Sequence, residues 1–171
     1  MSVRAPACYL LAGTEDGLLV LLDQRSSAKA WEQPLSDDYI GGVRFLPGSS
    51  EYAVVASGDA TLSVLDMRRA GARLSYVACA APLRCLATDG TLAMAGSEQG
   101  SLYLWDVAQQ LGRAGPVGGR WSQAGPSGLY EPLEWAPQSA VNALDVRVLG
   151  REVVVAAGHE GGMLRTWAAP L

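Results

Sequence analysis

Short apolar runs, each broken by a turn of small and acidic residues, recur along the chain and predict its secondary structure. Four segments follow one plan: an apolar run, a turn, then a second apolar run that ends at or beside Trp or Asp. They are Leu10–Asp23, Val54–Asp66, Met94–Asp106 and Val155–Ala168. In the first, Leu10–Gly13 and Leu18–Leu22 flank Thr-Glu-Asp-Gly, the chemistry of a tight hairpin turn. Apolar residues alternate with small or polar ones in Thr61–Leu65 and Ser101–Trp105, which is the period of a strand. An earlier strand is predicted before three of the hairpins, at Ile40–Leu46, Pro82–Ala87 and Val141–Val148. Turns after them fall at Pro47–Ser50, Thr88–Gly90 and Leu149–Arg151. A fourth strand is placed near Trp31–Leu35, Arg73–Cys79 and Tyr130–Trp135. No segment carries an i, i+3, i+4, i+7 apolar stripe, so no helix is predicted.

The segments are repeats. Their ends at Asp23, Asp66 and Asp106 stand about 40–45 residues apart, the length of a unit of four strands. The interval to Ala168 is longer by one loop. A Gly/Pro/Ser/Gln-rich stretch between Ala108 and Pro137 accounts for the excess, and its composition predicts an irregular insertion over 111–128.

At Ala95–Asp106 the chain reads Ala-Gly-Ser-Glu-Gln-Gly-Ser-Leu-Tyr-Leu-Trp-Asp, which resembles the Gly-Ser-x-Asp-Gly-x-apolar-x-apolar-Trp-Asp signature of the WD-repeat family. Asp23 and Asp66 keep the Asp with Leu in place of Trp, and Trp167 keeps the Trp without the Asp. These residues, with Trp105 and Asp106, are the structural positions of the repeat. The resemblance implies an all-β fold of WD-repeat β-propeller blades, each a four-stranded antiparallel sheet. Blades fall at about 1–38, 39–81, 82–138 and 139–171, the first and last one strand short. That is an incomplete ring, since closed propellers have about 4–8 full blades. An open arc leaves an apolar blade face in water. The arc is expected to be part of a longer protein, a shortened product, or a ring completed by a separate half or a second copy. The family's Gly-His pair is absent, because the one histidine is His159, placed in a hairpin turn. Blade stability must then rest on apolar packing between sheets.

Composition narrows the function. The chain carries 13 Lys and Arg against 17 Asp and Glu, a net charge of −4. That argues against a nucleic-acid footprint. The N-terminus fails as a signal peptide because Pro6 breaks its apolar stretch, and no apolar run is long enough to cross a bilayer. Cys8, Cys79 and Cys85 form no metal spacing and read as small buried hydrophobes of a reducing compartment. The expected location is intracellular, cytoplasmic or nuclear.

His159 beside Glu160 raises the question of catalysis. A triad needs a nucleophile and an orienting acid as well as a base, and no Gly-x-Ser-x-Gly elbow occurs. No enzyme, cofactor or metal site is expected. Interaction chemistry concentrates in the hairpin turns and in the links that precede each first strand. Asp16, Asp59, Glu98 and His159 lie in the turns, and Asp37, Asp38 and Tyr39 in a link, with Arg84 the main opposing charge. An acidic rim favours basic protein partners, while the plainer reading of Asp and Gly in tight turns is turn chemistry. The resemblance implies a scaffold or adaptor that presents loops to partner proteins. Substrate recognition behind an F-box in a ubiquitin ligase is the alternative, and a propeller enzyme a third.

Overall fold

The computed structural model describes residues 9–90, 92–108, 111, 121–123, 129–132 and 139–170. Fifteen antiparallel strands among these residues form four sheets. The first sheet holds β1 (Tyr9–Gly13), β2 (Leu18–Asp23) and β3 (Ala28–Pro34). The second holds β4 (Ile40–Phe45), β5 (Tyr52–Ser57), β6 (Thr61–Asp66) and β7 (Ala72–Ala78), with a short 3₁₀ turn at Met67–Arg69. The third combines β8 (Leu83–Asp89), β9 (Leu92–Ser97), β10 (Leu102–Asp106), β11 (Trp121–Gln123) and β12 (Leu129–Pro132), in the order β8-β9-β10-β12-β11. The last holds β13 (Val141–Leu149), β14 (Glu152–His159) and β15 (Leu164–Pro170).

These are propeller blades that do not close a ring. Two features depart from the sequence expectation. β11 falls inside the stretch read as wholly irregular and makes the third sheet five-stranded, because Trp121–Gln123 pairs with Tyr130–Pro132. The rest of 111–128, apart from Leu111, lies outside the described residues, as do Cys8 and Trp135. His159 is not a turn residue but the last residue of β14, and it is buried.

Strand period sorts each sheet into two faces. Leu11 of β1, Val54 of β5 and Met94 of β9 occupy equivalent positions, and each is buried against the following sheet. Their neighbours Val55 and Ala95 point the other way, into the preceding sheet. Three apolar clusters result, one in each gap. The last face of the fourth sheet has no such cover among the described residues. Nor has the first face of the first sheet, where Leu10 is 49% exposed.

The first strands β4, β8 and β13 are the inner strands, and β8 packs against both β4 and β13 to form a hub. Small residues permit this approach. A Cβ on Gly41 would lie 2.2 Å from the Leu83 carbonyl oxygen, and one on Gly96 would lie 2.6 Å from the Cβ of Val141. Both glycines leave room for the next sheet's inner strand.

Candidate functional site

The hairpin turns repeat one hydrogen-bond plan, which aligns them at one end of the arc. The backbone N–H groups of Thr14, Ser97 and His159 donate across the turn to Leu18, Ser101 and Met163 at 2.8–3.0 Å. The links are stitched to the same turns. Gly58 N–H donates to the Tyr39 carbonyl at 2.8 Å, Glu98 to Pro82 at 2.9 Å and Glu160 to Ala140 at 2.8 Å. This end therefore collects a link and a turn from every inner-strand sheet.

Tyr39 joins two of them. Its ring packs so closely over Gly58 that a Cβ there would meet a ring carbon at 2.5 Å. Its hydroxyl crosses to the third sheet and donates to Glu98 Oε1 at 2.9 Å. Burial, then the hydrogen bond to Glu98 and that carboxylate's charge, push the phenol up to about 12. The nearby Arg84 charge pulls the other way. Asp38 accepts from the Tyr39 N–H at 2.7 Å and so fixes the link that carries the ring. Four of the expected interaction residues, Asp38, Tyr39, Arg84 and Glu98, are thus brought together, and Asp37 sits exposed beside them in the same link.

The other turn residues serve their own turns. Asp16 accepts from the Thr14 hydroxyl. Asp59 accepts from the Ser57 hydroxyl, and from the Thr61 hydroxyl and N–H at 2.7 and 3.1 Å. Burial pushes the Asp59 carboxyl up, but bonds from Ser57, Thr61 and Ser36 outweigh it and hold the group below the usual range. His159 Nδ1 lies 3.0 Å from the Ser139 carbonyl oxygen, tying its turn to the link before β13. It occupies the place that Thr14, Ser57 and Ser97 hold in the earlier turns.

The repeat positions lie at the far end of the strands. Asp23, Asp66 and Asp106 each accept from the backbone N–H two residues on, at Arg25, Arg68 and Ala108, all at 3.0 Å. Each thereby caps the exit from a third strand. Trp105 is fully buried between the second and third sheets, and Trp167 packs against the cluster between the third and fourth.

A second feature was not anticipated from the sequence. Each inner strand slips register at its second residue, between Ile40 and Gly42, Leu83 and Cys85, and Val141 and Ala143. Gly41, Arg84 and Asn142 are the extra residues. A bulge re-aims the side chain it carries, and here Arg84 and Asn142 both border the hub. A cleft of about 270 Å³ opens there, lined by Arg44, Arg84 and Asn142 with Gly41, Gly42 and Leu144 among others, and by no carboxylate. Cys85 also borders it, and burial pushes its thiol up to about 11, away from thiolate chemistry. The Gly41-Gly42 pair was the sequence signal for this close approach. A larger cleft of about 610 Å³ opens between the first two sheets at the opposite end. Its arginines are engaged, Arg25 with Asp23 and Arg68 with Asp66 and Glu51.

No described helix is long and apolar enough to cross a membrane. The fold is an open arc of β-propeller blades, like those of WD40-repeat structures. No family model matches the chain. Solved structures do resemble it. The crystal structure of the computationally designed Ika4 protein aligns over 94% of this chain and 84% of that one, with a TM-score of 0.68 and 17% identity. The crystal structure of the RRP9 WD40 repeats aligns over 94% of this chain with a TM-score of 0.70 and 13% identity. A chain of the mitotic checkpoint complex does so with a TM-score of 0.68 and 17% identity. The present chain spans 42% and 47% of those last two. At these identities the likeness is one of fold.

Proposed function

We propose that this chain is a non-enzymatic interaction scaffold that binds partner proteins at the turn end of its arc. The observation that carries this reading is the Tyr39 bridge, in which a link and turns of two neighbouring sheets form one surface. An aromatic ring rimmed by Asp38, Glu98 and Arg84 suits a protein interface, where aromatic and Arg anchors dominate binding energy. The likeness to WD40 repeats, and to a chain found within an assembly, supports it by analogy of fold. The test compares affinity-captured partners of the wild-type chain with those of the Tyr39→Ala/Glu98→Lys double variant. A discrete partner set that the variant loses, while its circular dichroism stays native, is the expected result. A partner set that the variant retains in full contradicts it. Recovery of a ubiquitin-ligase adaptor within that set would select the F-box alternative.

A further inference from the structure

We propose that the hub cleft binds an acidic segment of a partner protein, with an Asp or Glu carboxylate seated between Arg44 and Arg84. This deepens the scaffold reading and rests on it for the nature of the partner.

The argument begins with charge. In a chain of net charge −4, two exposed arginines line the same cleft and no carboxylate lines it with them. Arg84 makes no hydrogen bond or ion pair among the described residues, and Arg44 donates only to its neighbour's carbonyl, that of Val43, at 2.9 Å. The acids nearby, Glu98 and Asp38, are turned to Tyr39 and do not line the cleft. Arg25, Arg68 and Arg147, by contrast, each have a carboxylate partner. The charge that lines the cleft is therefore positive, although the rim as a whole is acidic. This reverses the expectation of basic partners at this one place.

Local structure makes the cleft a built feature. The bulge in β8 turns Arg84 out of the sheet, and the equivalent bulge residue of β4 is Gly41. A side chain at 41 would run into the Leu83 carbonyl and the Arg84 backbone, at 2.2 and 2.9 Å. Glycine there lets β4 approach β8 closely, which brings Arg44 and Arg84 to one cleft. The third bulge supplies Asn142, whose amide offers both a donor and an acceptor to a peptide backbone. A planar, five-donor guanidinium matches a carboxylate bidentately. A cleft of about 270 Å³ accommodates one such side chain with its adjoining backbone.

The probe is a fluorescein-labelled tetraglutamate peptide, followed by anisotropy at low salt on the full chain. Saturable binding is expected, weakened tenfold or more in Arg44→Gln/Arg84→Gln, while Arg69→Gln, at the far end of the strands, binds as wild type does. Loss of binding through misfolding is separated by charge reversal. Arg44→Glu/Arg84→Glu should instead gain affinity for a tetralysine peptide, a gain that an unfolded chain does not produce selectively. Absence of binding to the wild type, or equal binding by the neutral double variant, overturns the proposal. So does displacement by inorganic phosphate at concentrations where free glutamate has no effect, which would assign the cleft to a phosphorylated side chain. If peptide binding needs both arginines but the Tyr39→Ala/Glu98→Lys variant keeps every partner, the scaffold reading fails and the cleft stands. The converse pair of results removes the cleft alone.

Discussion

Tyr39 draws its chemistry from two sheets at once, because its backbone is held by Asp38 while its hydroxyl is held by Glu98 across the gap. The folded-state phenol is raised to about 12 against an ordinary value near 10. A raised group contributes stability that is whole below the unfolded value and lost as pH climbs toward the folded one. An ultraviolet difference titration should therefore find a late tyrosine that Tyr39→Phe removes, and Glu98→Gln should lower its midpoint in part, since burial, the larger cause, remains. A late tyrosine unaffected by Glu98→Gln would contradict the bridge. Asp59 has the opposite sign. Its lowered carboxyl contributes above the unfolded value, near 4, and the contribution fades as pH falls through the folded value. Urea unfolding at neutral pH should find Asp59→Asn weaker by under about 1 kcal/mol, because the group is largely solvent-screened. The difference between the two proteins should shrink as pH falls through the lowered folded value. Acidic turn residues were legible in the sequence as turn chemistry, and Asp16 and Asp59 serve that purpose. Their division from Tyr39 and Glu98 was not legible, since a bridge between residues 39 and 98 depends on how two sheets face each other.

At the scale of the element, hairpins were readable because each apolar run meets a Gly-containing acidic turn, and the inner strands because apolar runs precede them. Register was not. A bulge inserts one residue without disturbing composition, so the hub side chains Arg84 and Asn142 could not be assigned from a period of two. β11 escaped for a related reason: Trp-Ser-Gln has no alternation to betray it, and it becomes a strand only by pairing with β12. His159 stands where Thr or Ser stands in other turns, and local sequence placed it in the turn rather than at the buried strand end. The equivalent glycines 96 and 158 test the packing of elements directly. Gly96→Ala drives a Cβ into Val141, so a loss of about 1–3 kcal/mol in chemical unfolding is expected. At Gly158 the nearest atom lies 3.5 Å from the added Cβ, and Gly158→Ala should stay within about 0.5 kcal/mol. Equal penalties at the two sites would contradict the assignment of Gly158 to an uncovered face.

Among the described residues the molecule is an arc whose interior gaps are filled and whose two end faces are not. The end faces are opposite sides of a blade, and both are apolar. On the first sheet, Leu10, Ala12, Val20 and Leu22 share the face away from the second sheet, by the pairing of β1 with β2. On the last, Val154, Ala156 and Gly158 stand opposite Ala168, Thr166 and Leu164, the last of these 72% exposed. Polar relief is sparse: a Lys29–Glu32 pair at 2.7 Å on β3 and an Asp145–Arg147 pair at 3.6 Å on β13. Repeat arrays depend on neighbour burial and on polar caps at their ends, so these faces should seek cover from further blades, whether on the same polypeptide, a separate one or a second copy. The repeat pattern made such an arc visible in the sequence, whereas the residues of its two end faces emerged only from the strand pairing. Sedimentation velocity of the 171-residue chain at low micromolar concentration tests this account most directly. It predicts species heavier than the 17.9-kDa monomer, shifted toward monomer by Leu22→Lys. A wild-type chain that sediments wholly as a 17.9-kDa monomer and melts in one cooperative transition would contradict it.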